Sequence, residues 1–243
     1  MKKLIITAAA AMTAMVGFSI ESSNVVGYTS ASIKADLFYM IAVPFDSVVG
    51  NGDGIAVKDL VTGDIPYGAE MQVRLPAGGY DIYQYSNEAY DASIDDFVPG
   101  WATGGGDLAT AKVAPGAAFW FKTSSACNVT IAGAVLADAS KQITVNGGIF
   151  SMIGNAYPSD INPNDIDWTG LSYGDELQVR LDAGGYDIYK YSDEAYDASI
   201  DDFVPGWATG GGDYVTESVL KSARGAWIKP AANVTIKWES PLN

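Results

Sequence analysis

One segment of this chain is written twice, and that limits the possible folds more than any other feature. Residues 67–107 read YGAEMQVRLPAGGYDIYQYSNEAYDASIDDFVPGWATGGGD, and residues 173–213 read YGDELQVRLDAGGYDIYKYSDEAYDASIDDFVPGWATGGGD. At an offset of 106 residues, 36 of the 41 positions are identical. The differences are Ala69/Asp175, Met71/Leu177, Pro76/Asp182, Gln84/Lys190 and Asn87/Asp193. A repeat of this length is one structural unit used twice, so the fold is expected to contain two similar bodies. Whatever the segment does, the chain does twice.

The repeat extends beyond the near-identical block. Phe38-Tyr39-Met40-Ile41-Ala42 aligns with Phe150-Ser151-Met152-Ile153-Gly154, and Gly116-Ala117-Ala118-Phe119-Trp120-Phe121-Lys122 aligns with Ala223-Arg224-Gly225-Ala226-Trp227-Ile228-Lys229. Asn128-Val129-Thr130-Ile131 matches Asn233-Val234-Thr235-Ile236, and a third version, Asn24-Val25-Val26-Gly27-Tyr28, opens the chain. The middle copy is placed to close the first unit, open the second, or serve both. The link over 134–142 is short and lacks Pro, which favours two units packed side by side.

The local pattern is that of strands. In Glu70-Met71-Gln72-Val73-Arg74-Leu75, the apolar residues alternate with polar ones. Pro76-Ala77-Gly78-Gly79 reads as a turn, and Tyr80 to Tyr85 returns as a second strand, a hairpin that recurs over Glu176 to Tyr191. Leu37 to Phe45, Ala117 to Thr123 and Asn128 to Val135 read as further strands. No amphipathic helix pattern of useful length occurs after residue 19. The expected fold class is all-β, with two tandem antiparallel β-sandwich or barrel-like units related by internal duplication, spanning 20–136 and 137–243.

Residues 1–19 have the form of a secretory signal peptide: Lys2 and Lys3, an apolar run from Leu4 to Val16, then small Gly17 and Ser19 before the cut. Its removal takes the formal charge from −15 to −17 and leaves no membrane span in the mature chain. That balance repels nucleic acid and anionic lipid, and suits divalent cations. There is no His, which excludes His triads, His zinc sites and His acid–base catalysis. The lone Cys127 allows no intramolecular disulfide and is read as buried before a strand. No phosphate loop or nucleophile elbow is present, and adjacent Asp95 and Asp96 point to opposite faces of a strand, so no enzyme is expected.

Val26-Gly27-Tyr28, Met40-Ile41-Ala42-Val43-Pro44, Glu70 to Arg74, Gly79 to Tyr85, Ala114 to Lys122 and Val129 to Val135 follow one another in a recognisable order. In that order the chain resembles a group of secreted bacterial β-rich repeat proteins whose repeats run VGY, MIANP, GDxVxxW/R, GGYxxYxY, LxPGxGFWVK and VTFxGxV. The resemblance covers nearly all of the mature chain. It implies a secreted β-rich repeat and no activity. The second unit departs from it, with Ala223-Arg224-Gly225-Ala226-Trp227 in place of PGxGFW.

The segment Ser86 to Asp107 and its copy Ser192 to Asp213 read as long irregular loops, and such loops usually have a purpose. Calcium is the strongest chemical candidate there, since it takes carboxylate and carbonyl oxygens and needs no His. The candidate ligands are Asp91, Asp95, Asp96 and Asp107, with Asp197, Asp201, Asp202 and Asp213 as counterparts; the plain alternative is a solvated acidic loop. Tyr90, Trp101, Tyr196 and Trp207 are candidates for stacking sugar rings, against ordinary packing of strand aromatics. Asn51-Gly52-Asp53-Gly54 reads as a turn, and the sequons at Asn128 and Asn233 as strand starts. The functional expectation is a structural or adhesive protein of the bacterial cell surface or matrix, acting by self-association, with the first strand suspected of pairing between chains. The alternative is a bivalent module for surface polysaccharide.

Overall fold

The computed structural model describes residues 25–48, 52–181 and 184–241. The leader, Asn51 and Asp182 lie outside the described residues. Strands make up 51% of the chain and helix 3%, so the class is all-β.

The first half contains β1 (Val26–Ile33), β2 (Tyr39–Ala42), β3 (Ile55–Ala56), the single helical turn α1 (Val57–Leu60), β4 (Glu70–Arg74), β5 (Tyr80–Asp91), β6 (Asp96–Ala102), β7 (Lys112–Val113), β8 (Ala118–Lys122) and β9 (Cys127–Ala134). The second contains β10 (Ser140–Val145), β11 (Ser151–Ile153), a 3-10 turn at Pro163–Asp165, β12 (Asp167–Thr169), β13 (Glu176–Arg180), β14 (Tyr186–Asp197), β15 (Asp202–Ala208), β16 (Ala226–Lys229) and β17 (Val234–Glu239). Each half builds an antiparallel five-stranded sheet of the same order, β2-β8-β4-β5-β6 and β11-β16-β13-β14-β15. A smaller sheet accompanies each, β1-β9 in the first half and β10-β17-β12 in the second.

Alternation explains which face goes inside. Met71 is fully buried while its neighbours Glu70 and Gln72 are not, and Leu177 repeats this in the second half. Met71, Phe119, Phe121 and Trp101 join Ile33, Val129 and Ile131 of the smaller sheet in one apolar core. That core runs without a break into the second half through Ile153, Tyr157, Leu177, Trp207 and Trp238. It is this shared interior that holds the halves together.

The predicted strand over Leu37 to Phe45 is shorter than expected. Beyond Ala42 the chain leaves β8 and crosses toward the smaller sheet, where Phe45 lies against Gly27 and Asp46 bridges Ala134. The middle copy of the threefold motif, β9, closes the first half by pairing with β1 along Val26↔Ala134 to Ile33↔Cys127. One edge of the first strand, suspected of pairing between chains, is thus taken by a partner within the same chain, and β1 stands at the edge of this two-stranded sheet. The second half is opened by β10, part of what read as a link, which pairs with β17.

Contacts at the junction are reciprocal between equivalent residues, the mark of a local two-fold axis. Gly154 N donates to Gly116 O at 2.9 Å, and the equivalent Ala42 N donates to Ala223 O at 3.4 Å. Met40 and Met152 share a small cluster, and Trp120 meets Trp227 edge to face with centroids 6.1 Å apart. At the axis, equivalent positions touch themselves. A Cβ on Gly154 would lie 2.5 Å from Ala42 Cβ, and one on Gly225 would lie 2.4 Å from Ala118 Cβ. Two methyl groups do not fit at either point, and the two copies differ there as Ala42/Gly154 and Ala118/Gly225.

Candidate functional site

The segment expected to be irregular is a long hairpin. β5 runs on through Ser86 to Asp91, turns over Ala92 to Asp95, and returns as β6; β14 and β15 repeat this. A register shift between Ser86 and Ala89 interrupts the pairing, and the same shift occurs between Ser192 and Ala195. Such a bulge re-aims the side chains beyond it. Pairing with the returning strand of the hairpin supplies here what the Asp, Gly and Pro content lacks in local strand preference.

Three of the four carboxylates expected to bind calcium in each copy are employed in local bonds at the turn. Asp91 Oδ1 accepts from Ser93 N at 2.9 Å and Ser93 Oγ at 2.6 Å. These two donors hold the Asp91 carboxyl below its usual value, as Ser199 does for Asp197. Tyr90 Oη donates to Asp95 Oδ1 at 2.7 Å, and Tyr196 to Asp201 at 2.8 Å; each bond favours the protonated phenol and raises its pKa. Asp95 and Asp201 take left-handed backbone conformations, with φ of 56° and 54°, and Asp accepts that conformation more readily than most residues. Asp96 Oδ1 and Asp202 Oδ1 each accept from the following backbone N–H at 2.8 Å. Asp107 and Asp213 sit beside Tyr90 and Tyr196 through backbone bridges. Among the described residues, no three acidic or thiol groups converge as a metal site would require. The carboxylates of Asp91, Asp95, Asp96 and Asp107 are near in sequence and are not gathered, and the same holds for Asp197, Asp201, Asp202 and Asp213.

The indoles expected to bind sugar are in the core. Trp101 and Trp207 are both 0% exposed. Trp101 is wedged edge to face between Tyr85 and Phe121, and Trp207 between Tyr191 and Trp168. Their placement as ligand residues is corrected: neither ring has a free face. Tyr90 and Tyr196 are partly exposed and pack on Phe97 and Phe203, with centroids 5.5 Å and 5.4 Å apart. What the tips do display was missed. Ile94 and Phe97 are 60% and 63% exposed, and Ile200 and Phe203 are 59% and 63% exposed. The available signal was an apolar residue on each side of a turn aspartate, Ile94-Asp95-Asp96-Phe97, where a solvated acidic loop has no use for either. Pro99 and Pro205 interrupt the outer strands β6 and β15, and Pro on an edge blocks pairing with another sheet.

A second surface lies at the junction and depends on both halves. The outer face of β4 carries Gln72 and Arg74, and that of β13 carries Gln178 and Arg180. Each Arg stacks on a Tyr of its own half and a Trp of the other: Arg74 lies 5.1 Å from the Tyr80 ring and 5.9 Å from Trp227, and Arg180 lies 5.6 Å from Tyr186 and 5.5 Å from Trp120. Phe38 packs on Trp120 beneath Lys122, and Phe150 on Trp227 beneath Lys229. Three adjoining clefts of about 330, 430 and 320 Å³ follow this line, the first two sharing Arg180 and the last two Tyr186.

Other predicted features have structural uses. Gly52 and Gly54 donate their N–H groups to the buried Asp46 carboxylate at 2.6 and 2.8 Å, so the Gly52–Gly54 part of the predicted turn folds onto Asp46. Asn128 accepts from Ser32 Oγ at 2.8 Å and Asn233 from Gly147 N at 3.0 Å, each tying a strand start to its neighbour. Cys127 is half-buried, and burial pushes its thiol pKa up. No helix among the described residues is long and apolar enough to cross a membrane. No protein-family model, no curated protein and no solved structure matches the chain.

Proposed function

We propose that this is a secreted, non-enzymatic structural or adhesive protein of the bacterial cell exterior that engages its surroundings through two copies of one contact surface, the hairpin tip. The observation that carries this reading is the pairing of Ile94 and Phe97 with Ile200 and Phe203. These are exposed apolar side chains at the ends of matching rigid arms, in the most closely repeated stretch of the chain. Isolated apolar residues on a surface are ordinary, but the same pair displayed at both tips is a bivalent arrangement. The shared core fixes the arms relative to each other, so a second contact forms at high effective concentration once the first has formed.

The test is size-exclusion chromatography with light scattering, with and without calcium, alongside retention on the producing cell surface. Phe97→Ser, Phe203→Ser and the double substitution are compared with the parent. Each ring is mostly exposed and outside the core, packing only on its neighbouring Tyr, so the sheets should still form. Either single change should weaken retention or assembly by removing avidity, and the double change should abolish it. Parent-like behaviour of the double variant in both assays refutes the proposal.

A further inference from the structure

We infer that the junction groove binds an acidic polysaccharide, a chain of sugar rings bearing carboxylates. The site uses none of the hairpin-tip residues and stands independently of the role proposed for them.

The first ground is where the positive charge sits. The chain has 29 acidic and 14 basic side chains, and only three of the latter are arginines. All three, Arg74, Arg180 and Arg224, line the groove, and Lys34 joins them. Among the described residues, Asp36 is the single carboxylate lining it. Neither Arg74 nor Arg180 belongs to a described ion pair; those pairs are Lys112–Asp53, Lys221–Asp160 and Lys237–Glu239. An acidic protein that sets Arg74, Arg180 and Lys34 along one concave line, with Arg74 and Arg180 outside its described ion pairs and the nearby Glu70 and Glu176 bonded to Gln72 and Gln178, has built a site for an anion.

The second ground is the chemistry of the lining. A guanidinium lying over an indole keeps its N–H edge available in the ring-stacked plane, and that edge matches a carboxylate with two parallel bonds. Partly exposed rings lie beside these cations along the groove, Tyr186, Trp227 and Tyr80, while Trp120 is buried beneath Arg180. Aromatic faces pack against the apolar faces of sugar rings. Glu70 and Glu176 accept from the amide nitrogens of Gln72 and Gln178. Each amide oxygen is thereby left to accept from a sugar hydroxyl, with Gln72 in one cleft and Gln178 in the next. Cation, flat ring and amide repeat in sequence, which suits a polymer of charged rings rather than a single small anion. A nucleic acid also offers rings and charge, and the oligonucleotide arm of the test separates the two.

The test is calorimetric titration of the protein with a galacturonic acid hexamer, its methyl ester, and a single-stranded thymidine oligonucleotide. The acid hexamer is expected to bind, and added salt to weaken it. Arg74→Ala with Arg180→Ala should reduce affinity by about a hundredfold, since each of the two lost charge-assisted pairs is worth roughly one factor of ten. The ester should bind as weakly to the parent as to this variant. Lys34→Gln is exposed and leaves the stack intact; it should lower acid-hexamer affinity without changing the unfolding midpoint. Equal binding of acid and ester, tighter binding of the oligonucleotide, or no heat from the acid hexamer at millimolar concentration overturns the inference.

Discussion

Replacing Gly154 with Ala should destabilise this protein by overpacking one buried point, and one further substitution should undo part of the loss. Gly154 has an ordinary negative backbone φ, so Ala is conformationally permitted. The obstacle is space: the new Cβ would lie 2.5 Å from Ala42 Cβ and 2.9 Å from Ala117 O. Carbon atoms in contact sit near 3.5–4.0 Å, so the strands must part by about 1 Å where they are fully buried. Overpacking of this kind costs about 1–3 kcal/mol. Reduced freedom of the unfolded chain returns roughly 0.4–1 kcal/mol, leaving a net loss of about 1–2 kcal/mol. Adding Ala42→Gly moves the methyl group to the other side of the axis. The 2.5 Å contact disappears while the 2.9 Å contact with Ala117 O stays, and the glycine penalty at 42 of about 0.5–1 kcal/mol offsets the gain at 154. The exchanged pair should then recover part of the loss, a favourable coupling on the scale expected for touching residues, with the remainder set by the Ala117 O contact. The measurement is urea unfolding at constant m-value, so that midpoint shifts report stability alone. A loss below about 0.5 kcal/mol for Gly154→Ala, or no recovery in the double variant, refutes the two-fold packing argument.

Four further outcomes follow from the same contacts. Asp175 is buried and accepts from Ser172 N and Ala231 N at 2.8 and 2.7 Å; Asp175→Ala strands both donors and should cost about 2–4 kcal/mol in urea unfolding. Trp207→Ala should cost about 3–5 kcal/mol, and Trp207→Phe much less, because the buried indole nitrogen has no hydrogen-bond partner to lose. Ser93→Ala should raise the Asp91 carboxyl toward its ordinary value of 3.8, read by carboxyl NMR titration. Because that pKa is depressed in the folded loop, the contribution is present above pH 3.8 and fades as pH falls through the folded value. Asp95→Ala should lower the Tyr90 phenol toward 10.0, seen by ultraviolet titration, since the contribution of that raised pKa holds below pH 10.0 and is lost above it.

The differences inside the repeat show why identical sequence is not identical structure. Asp175 replaces Ala69 and takes up a buried bonding role that its counterpart does not have. Tyr67 stacks on Tyr85, with centroids 5.8 Å apart, whereas Tyr173 is the most exposed apolar ring and lines a cleft of about 490 Å³ with Tyr191. The sequence also misassigned the stretch from Ser86 to Asp107. Its acidic, Gly- and Pro-containing composition disfavours a strand locally, and only pairing with residues brought back by the turn at Ala92 to Asp95 makes it one.

What the sequence determined by itself was periodic and local. The alternation of Met71 and Val73 gave the inward face, Pro76 to Gly79 gave the turn, and the duplicated block gave two sheets of one order. Charge and the lack of His limited the chemistry without any geometry. The tertiary structure alone decided which aromatics are free and which are buried, since Trp101 and Phe97 sit four residues apart in one strand yet face opposite fates. It alone brought Arg74 to Trp227 and Arg180 to Trp120. Those partners belong to different halves, and no local pattern encodes a contact that exists only after two separately built sheets meet across an axis where a single methyl group fits.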